Sequence, residues 1–115
     1  LHSNFSGTQY LILIRNDSPP VGPKLEKDIV REYRNWARKL ADEGHLIDAA
    51  ELRRDGSIIF ATDHEVGTKD LSMNRESATG YFLVRVSNRA EAEDIARNCP
   101  QLEHGGSVEL REIIR

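Results

Sequence analysis

The fold of this chain is decided by residues 80–115, which read GYFLVRVSNRAEAEDIARNCPQLEHGGSVELREIIR. Residues 81–86 form an apolar run that predicts a β-strand. A helix is predicted from Asn88, whose side chain can cap it, to the residue before Pro100. A Gly-Gly pair then predicts a turn into a second strand over residues 108–114. Together these pieces form half of a βαββαβ domain.

The chain before residue 80 begins with a strand and a helix that belong to the other half of the domain. Residues 9–15 (QYLILIR) predict a buried strand. A helix is predicted from Pro23, a favoured first-turn residue, to near Gly44, a typical residue just after a helix end. Apolar residues recur along this helix at steps of four, four, three and four, which gives it one apolar stripe. The stripe consists of Leu25, Ile29, Tyr33, Trp36 and Leu40.

The middle of the chain predicts a hairpin followed by a long irregular segment. Strands are predicted over residues 45–53 and 57–61, joined at Asp55-Gly56, a strong two-residue hairpin signal. Residues 62–79 show no clear period and are predicted to form one functional or mobile loop. The predicted order is β-α-β-β-β-α-β, an α+β sandwich of ferredoxin-like type. In it, two helices cover one face of an antiparallel sheet.

Length and composition narrow the possible functions. The 115 residues fit a single domain, residues 1–115, in which residues 1–8 are predicted to be a flexible N-terminal extension. The formal net charge is −3, so no bulk attraction for nucleic acid or for an anionic membrane is expected. No apolar run approaches the roughly 20 residues that span a bilayer. The single Cys99 fits a reducing compartment, and we expect a cytoplasmic protein.

The order and spacing of these pieces resemble the YCII-related superfamily, especially the branch named for a DGPF motif. The matching stretches are YLILIR in the first strand, WARKLADEGHL at the end of the first helix, and most of residues 80–115. The resemblance implies a homodimer in which two sheets face each other. This arrangement is the dimeric α/β-barrel-like version of the ferredoxin-like fold.

Two motifs of this superfamily are not kept. The position of the DGPF motif reads TDHEVGTKD, in which Asp63 is retained and His-Glu-Val replaces Gly-Pro-Phe. The superfamily is also associated with a proposed His–Asp pair. Here no His occurs in the first helix, and the residues before Pro100 are Asn98 and Cys99. The pair therefore cannot be carried over to this chain.

The first candidate site is the histidine inside the altered motif. His64 lies between Asp63 and Glu65. A histidine beside carboxylates can act as a general base with an orienting acid, or supply part of a weak divalent-metal site. A solvated loop is the alternative. We select Asp63 and His64 as candidate catalytic residues, and we expect no metal site and no cofactor.

The second candidate site lies on one face of the predicted sheet. Strand alternation places Arg15 and Arg85 on the face that points away from the helices. An arginine on a largely buried face needs a carboxylate or an anionic ligand as partner, and Glu109 or Glu112 could supply the carboxylate across an interface. His45 follows a helix end, where it also fits a structural role beside the helix C-terminus. The candidate ligand-binding residues are Arg15, Arg85, Tyr81 and His45.

These observations support one main hypothesis and two alternatives. The main hypothesis is a YCII-related domain of undefined activity that acts as a homodimer and binds a small anionic ligand or a protein partner. The first alternative is a small enzyme in which Asp63 and His64 perform acid–base chemistry on an anionic small molecule. The second is a structural or regulatory accessory domain. The sequence leaves open whether the chain is an enzyme.

Overall fold

The chain folds as an α+β domain with two α-helices and six strands among the residues described. A computed structural model describes residues 7–16, 23–71 and 77–115. The strands are β1 (Thr8–Asn16), β2 (Leu46–Glu51), β3 (Ser57–Ala61), β4 (Val66–Asp70), β5 (Ala78–Val86) and β6 (Gly106–Glu112). The helices are α1 (Pro23–Asp42), α2 (Arg89–Arg97) and a 3₁₀ helix (Pro100–His104).

Four strands form the main sheet in the order β2-β5-β1-β6. Every neighbouring pair is antiparallel. Helix α1 connects β1 to β2, and α2 with the 3₁₀ helix connects β5 to β6, so each connection passes over one intervening strand. The predicted α+β class and antiparallel sheet are confirmed, and this strand order is compatible with a ferredoxin-like sandwich.

One face of this sheet and both helices enclose the core. Alternate residues of the two central strands are buried, and the register sets Ile12 opposite Phe82. The indole of Trp36 on α1 lies 4.5 Å from the Phe82 ring, measured between centroids. Both helices pack on this core face. The buried set is Tyr10, Ile12, Ile14, Trp36, Leu40, Phe82, Val84, Val86, Ala92, Ala96 and Cys99.

The predicted strand faces and most of the helical stripe agree with this core. Trp36 and Leu40 are buried, while Tyr33 is half-buried and packs against the core. The side chain of Leu25 lies outside the described residues. The predicted extension, residues 1–8, also lies outside them except for its last two residues, and Thr8 is the first residue of β1.

The predicted hairpin between residues 45–53 and 57–61 is wrong. Strand β2 pairs with β5, and the ladder continues where the Leu52 amide donates to the Thr79 carbonyl at 2.9 Å. Strand β3 pairs instead with β4, which lies inside the segment predicted to be irregular. The element order therefore contains one strand more than predicted, β-α-β-β-β-β-α-β.

Local hydrogen bonds explain the error. The Gly56 carbonyl accepts from the Leu71 amide at 2.9 Å, so Gly56 extends the β3–β4 ladder and is not the tip of a turn. The tip lies at residues 62–65, where the Thr62 amide donates to the Glu65 carbonyl at 2.8 Å. The Thr62 hydroxyl oxygen also accepts from the Glu65 amide at 3.2 Å. A threonine can close a turn in this way without the Asn-Gly or Asp-Gly pair that the sequence interpretation relied on.

The sequence predicts the capping motif at the start of α2 and the one at the end of α1. The Asn88 side chain accepts from the Glu91 amide at 2.9 Å, and the Glu91 carboxylate accepts from the Ser87 amide at 2.8 Å. This reciprocal pair closely resembles a capping box. At the end of α1, Gly44 adopts a φ of 79°, in the left-handed region that glycine tolerates best.

None of the helices in the described part of the chain has the length and apolar character that a membrane crossing requires.

We expect Ile12→Ala to destabilise the protein far more than Ile59→Ala. Ile12 is fully buried, and removing its side chain beyond Cβ should cost about 2–5 kcal/mol of unfolding free energy. Ile59 on β3 is 70% exposed, so its truncation should stay within about 0.5 kcal/mol. Urea unfolding of the two variants measures both values. Equal losses would contradict the assignment of the core face.

Candidate functional site

The candidate site is the sheet face that points away from the helices, which we call the open face. It alternates with the core face along each strand, so Leu11 lies opposite Leu83 and Leu13 lies opposite Tyr81. The leucines are half-buried, and charged groups lie at both ends of the β1–β5 pair. The side chains by which we define this face are Leu11, Leu13, Arg15, Asp48, Tyr81, Leu83, Arg85, Glu109 and Arg111.

Arg15 is held on the open face by a carboxylate of the same chain. Its Nη2 lies 2.7 Å from Oε1 of Glu109, and each of the two side chains is about one-third exposed, at 34% and 33%. Arg111 Nη1 donates to the other oxygen of Glu109 at 2.9 Å. The carboxylate of Glu109 therefore bridges two guanidinium groups. The sequence predicts Glu109 as one possible partner of Arg15, and the structure shows that the contact forms within one chain.

The electrostatics of this triad favour an ionised carboxylate. The hydrogen bond from Arg111, followed by the attraction of the Arg15 guanidinium, lowers the pKa of Glu109. One donor is left over: Arg15 Nε is buried and has no hydrogen-bond partner among the described residues. A buried donor without an acceptor is costly, and Gln101 Nε2 in the core is a second such donor among the described residues.

Tyr81 lies near Arg15 and makes a separate polar contact. Its hydroxyl donates to Oδ2 of Asp48 on β2 at 2.9 Å. This hydrogen bond and the negative charge of the carboxylate raise the pKa of Tyr81, so the phenol stays protonated. Tyr81 is opposite Leu13, two residues from Arg15 along β1. The structure therefore brings Arg15 and Tyr81 to the same end of the open face.

Arg85 and His45 lie at the other end. Arg85 is opposite Gln9, six residues before Arg15 on β1, which at about 3.3 Å per residue separates the two positions by roughly 20 Å. His45 Nδ1 lies 2.9 Å from the Arg85 carbonyl oxygen, which can only accept, so Nδ1 carries the proton. One small ligand cannot contact Arg15 and Arg85 within a single chain.

The backbone of His45 helps to end α1, whereas the role beside the helix C-terminus that the sequence suggests as an alternative concerns its side chain. Its amide donates to the Leu40 carbonyl at 2.8 Å, and the Gly44 amide donates to the Ala41 carbonyl at 3.0 Å. Together with the left-handed Gly44, these bonds form a Schellman motif at the end of α1. The assignment of His45 to ligand binding stays a prediction.

Asp63 and His64 occupy the exposed tip of the β3–β4 hairpin. The His64 amide donates to the Thr62 hydroxyl oxygen at 3.4 Å. Among the described residues, no hydrogen bond or ion pair joins either side chain to a partner that would orient it. Acid–base chemistry requires hydrogen-bond reach between base, orienting acid and substrate. The assignment of these two residues to catalysis stays a prediction.

Cys99 is part of the core. It is 1% exposed, and its Sγ lies 3.8 Å from the Tyr33 hydroxyl. Burial raises the pKa of Cys99, which disfavours the nucleophilic thiolate. The Tyr33 hydroxyl also donates to Oε1 of Gln101 at 3.1 Å. Gln101 is almost fully buried, and sequence reasoning missed it because nothing in the local pattern marks a core glutamine.

A contact between α1 and the 3₁₀ helix is a second feature that sequence reasoning missed. His104 is half-buried, and its Nε2 lies 2.9 Å from Oε2 of Glu32. The two residues are 72 positions apart, so no spacing pattern along the chain could have paired them.

The architecture and the site define a small α+β sandwich whose open sheet face carries a leucine stripe and arginine–carboxylate contacts. The chain belongs to the YCII-related domain family, whose sequence model matches residues 8–115. The match covers every element of the fold, so the resemblance seen in the sequence is confirmed at the level of the family. No curated protein matches the sequence. Membership of the DGPF branch stays a prediction.

We expect Glu109→Gln to reduce the loss of stability on acidification. The folded-state pKa of Glu109 lies below its ordinary value of 4.5, so its contribution is complete above that pH and is lost as the pH falls through the lowered pKa. The glutamine variant lacks this contribution at every pH. Urea unfolding between neutral and acidic pH measures the difference from the unmodified protein.

The matched control for this experiment is Glu93→Gln, which breaks an exposed helix ion pair with Arg89. Such pairs contribute little, so this variant should follow the unmodified protein across the pH range. An identical acid response in Glu109→Gln and Glu93→Gln would contradict the importance of the Arg15–Glu109–Arg111 triad.

Proposed function

We propose that this YCII-related domain is a homodimeric small-ligand-binding protein, in which two open faces pack together and Arg15 contacts an anionic ligand. The observation that carries the proposal is the buried Arg15 Nε, for which the described residues offer no acceptor. Its position beside a leucine stripe links the ligand site to the dimer interface.

The side chains of the open face support the dimer. Leu11, Leu13 and Leu83 form a contiguous apolar stripe that is only half-buried in the single chain. Sheets that pack face to face interdigitate such side chains at a separation of about 10 Å. The polar groups around the stripe are already paired within the chain, by Arg15 with Glu109 and by Tyr81 with Asp48. Paired groups can be covered by a second copy at a lower cost than unpaired ones.

The chemistry of Arg15 supports an anionic ligand. A guanidinium presents five N–H donors in a planar fork that matches carboxylate and phosphate oxygens. Glu109 contacts Nη2, and Nε has no acceptor within residues 7–16, 23–71 and 77–115. A ligand oxygen at Nε would satisfy the buried donor, whereas the Tyr81 hydroxyl already donates its one proton to Asp48 and has none left for an anion. The class of ligand is therefore a small carboxylate or phosphate.

We expect Leu83→Asp to convert the protein from a dimer into a folded monomer. The substitution places a charge in the middle of the leucine stripe, where a second sheet would have to bury it. Sedimentation velocity at micromolar concentration measures the change in mass. Leu102→Asp on the 3₁₀ helix is the control, because its side chain is exposed outside the open face. A monomeric unmodified protein would overturn the dimer.

We expect inorganic phosphate or succinate to raise the melting temperature of the protein, and Arg15→Gln to abolish the rise. A ligand that binds only the native state stabilises it in proportion to the logarithm of its concentration above Kd. Arg53→Gln is the matched control, since its guanidinium is exposed and pairs with Asp55 away from the open face. An equal rise in both variants would show a general salt effect and would reject the Arg15 site.

A further inference from the structure

Three metal-ligating side chains converge outside the open face. Glu32 lies on α1, and Glu103 and His104 end the 3₁₀ helix. One imidazole nitrogen and one oxygen from each carboxylate all lie within 4.8 Å of one another. The closest pair, His104 Nε2 and Glu32 Oε2, is 2.9 Å apart. Two donors around a tetrahedral ion with bonds of about 2.0–2.2 Å lie about 3.3–3.6 Å apart, so a zinc ion would separate His104 and Glu32 by several tenths of an ångström.

The backbone elements that carry these donors are fixed by independent contacts. Tyr33, the neighbour of Glu32, donates to the buried Gln101 on the 3₁₀ helix at 3.1 Å. The 3₁₀ helix is closed by Gly105 at a φ of 82°, whose amide donates to the Gln101 carbonyl. The backbone segments that carry the donors are thus held by contacts outside the cluster, and the side chains of His104 and Glu32 also contact each other. Ligands that are fixed in place before binding lose little conformational entropy when they bind an ion.

His104 is the most buried of the three donors, and Glu103 is exposed. The side chain of His104 is 21% exposed and that of Glu32 is 41% exposed. Two carboxylates and one imidazole also leave negative charge in excess, even when the imidazole is protonated. A divalent cation would neutralise both carboxylates at once and accept the imidazole nitrogen as a third ligand.

We propose that Glu32, Glu103 and His104 form a binding site for a divalent transition metal ion of the zinc type. Imidazole nitrogen favours zinc and its neighbours in the periodic table, whereas magnesium and calcium prefer ligand sets made of oxygen alone. Three protein ligands leave a coordination position for water or a small molecule. The ion would join α1 to the 3₁₀ helix, and neither the dimer nor the Arg15 site is needed for it.

The test is a zinc titration of the full chain after a chelator has removed bound metal. Isothermal titration calorimetry should give one Zn²⁺ per chain, and zinc should raise the melting temperature. Both His104→Gln and Glu103→Gln should weaken zinc binding by about tenfold or more. Loss of a residue that only supports a metal ligand can already weaken binding by this factor, and these two residues are proposed ligands. Glu103 is exposed, so its variant should fold even if loss of the His104–Glu32 contact disturbs the structure.

The hairpin tip supplies the matched control, His64→Gln. His64 also stands between two acidic residues, but it is exposed at a turn. It should keep the zinc affinity of the unmodified protein. If His64→Gln loses binding while the two 3₁₀-helix variants keep it, the site lies at the tip and the proposal is wrong. Equal affinity in all three variants, or no binding by the unmodified protein, also overturns it.

Discussion

The pairing of β1 with β5 is the constraint on which the rest of the structure depends. These strands lie at the centre of the main sheet, and their register sets Ile12 against Phe82 on one face and Leu11 against Leu83 on the other. Side chains alternate with a period of two, so a slip of one residue would send Arg15 toward the helices. The cost of burying that charge without a partner makes one register much more stable than its neighbours.

This register also explains why the two faces differ in chemistry. The core face brings apolar residues of the strands against the helices, and the Tyr10 hydroxyl on this face donates to Glu112 at 3.1 Å. The open face places leucines in the centre and charged groups at the ends. Apolar side chains flanked by paired charges are typical of a surface that is covered part of the time or by a partner. The candidate interface is thus a direct consequence of the alternation that builds the core.

Sequence patterns predict the features of this fold that depend on short-range periodicity. The alternation in the central strands, the stripe of α1 and the Asn88 cap each follow from residues within a few positions of one another. The pairing of β2 with β5 and the existence of β4 do not, because a strand's partner is decided by the whole sheet. The Glu32–His104 contact is beyond local patterns for the same reason. The resemblance in residues 80–115 identifies the family because the sequence pattern of a family reflects, indirectly, the long-range pairings of its fold.

The two histidine clusters show why residue types alone do not locate a site. His64 and His104 each have an acidic neighbour in the sequence. The sequence favours His64 because Asp63 and Glu65 flank it on both sides. In the fold, the flanking residues of a tight turn point into solvent, whereas His104 is held against Glu32 by the packing of α1 on the 3₁₀ helix. A site requires donors whose positions are already fixed, so that they lose less conformational entropy on binding than free side chains do. Tertiary packing supplies that constraint to His104, and a surface turn does not supply it to His64.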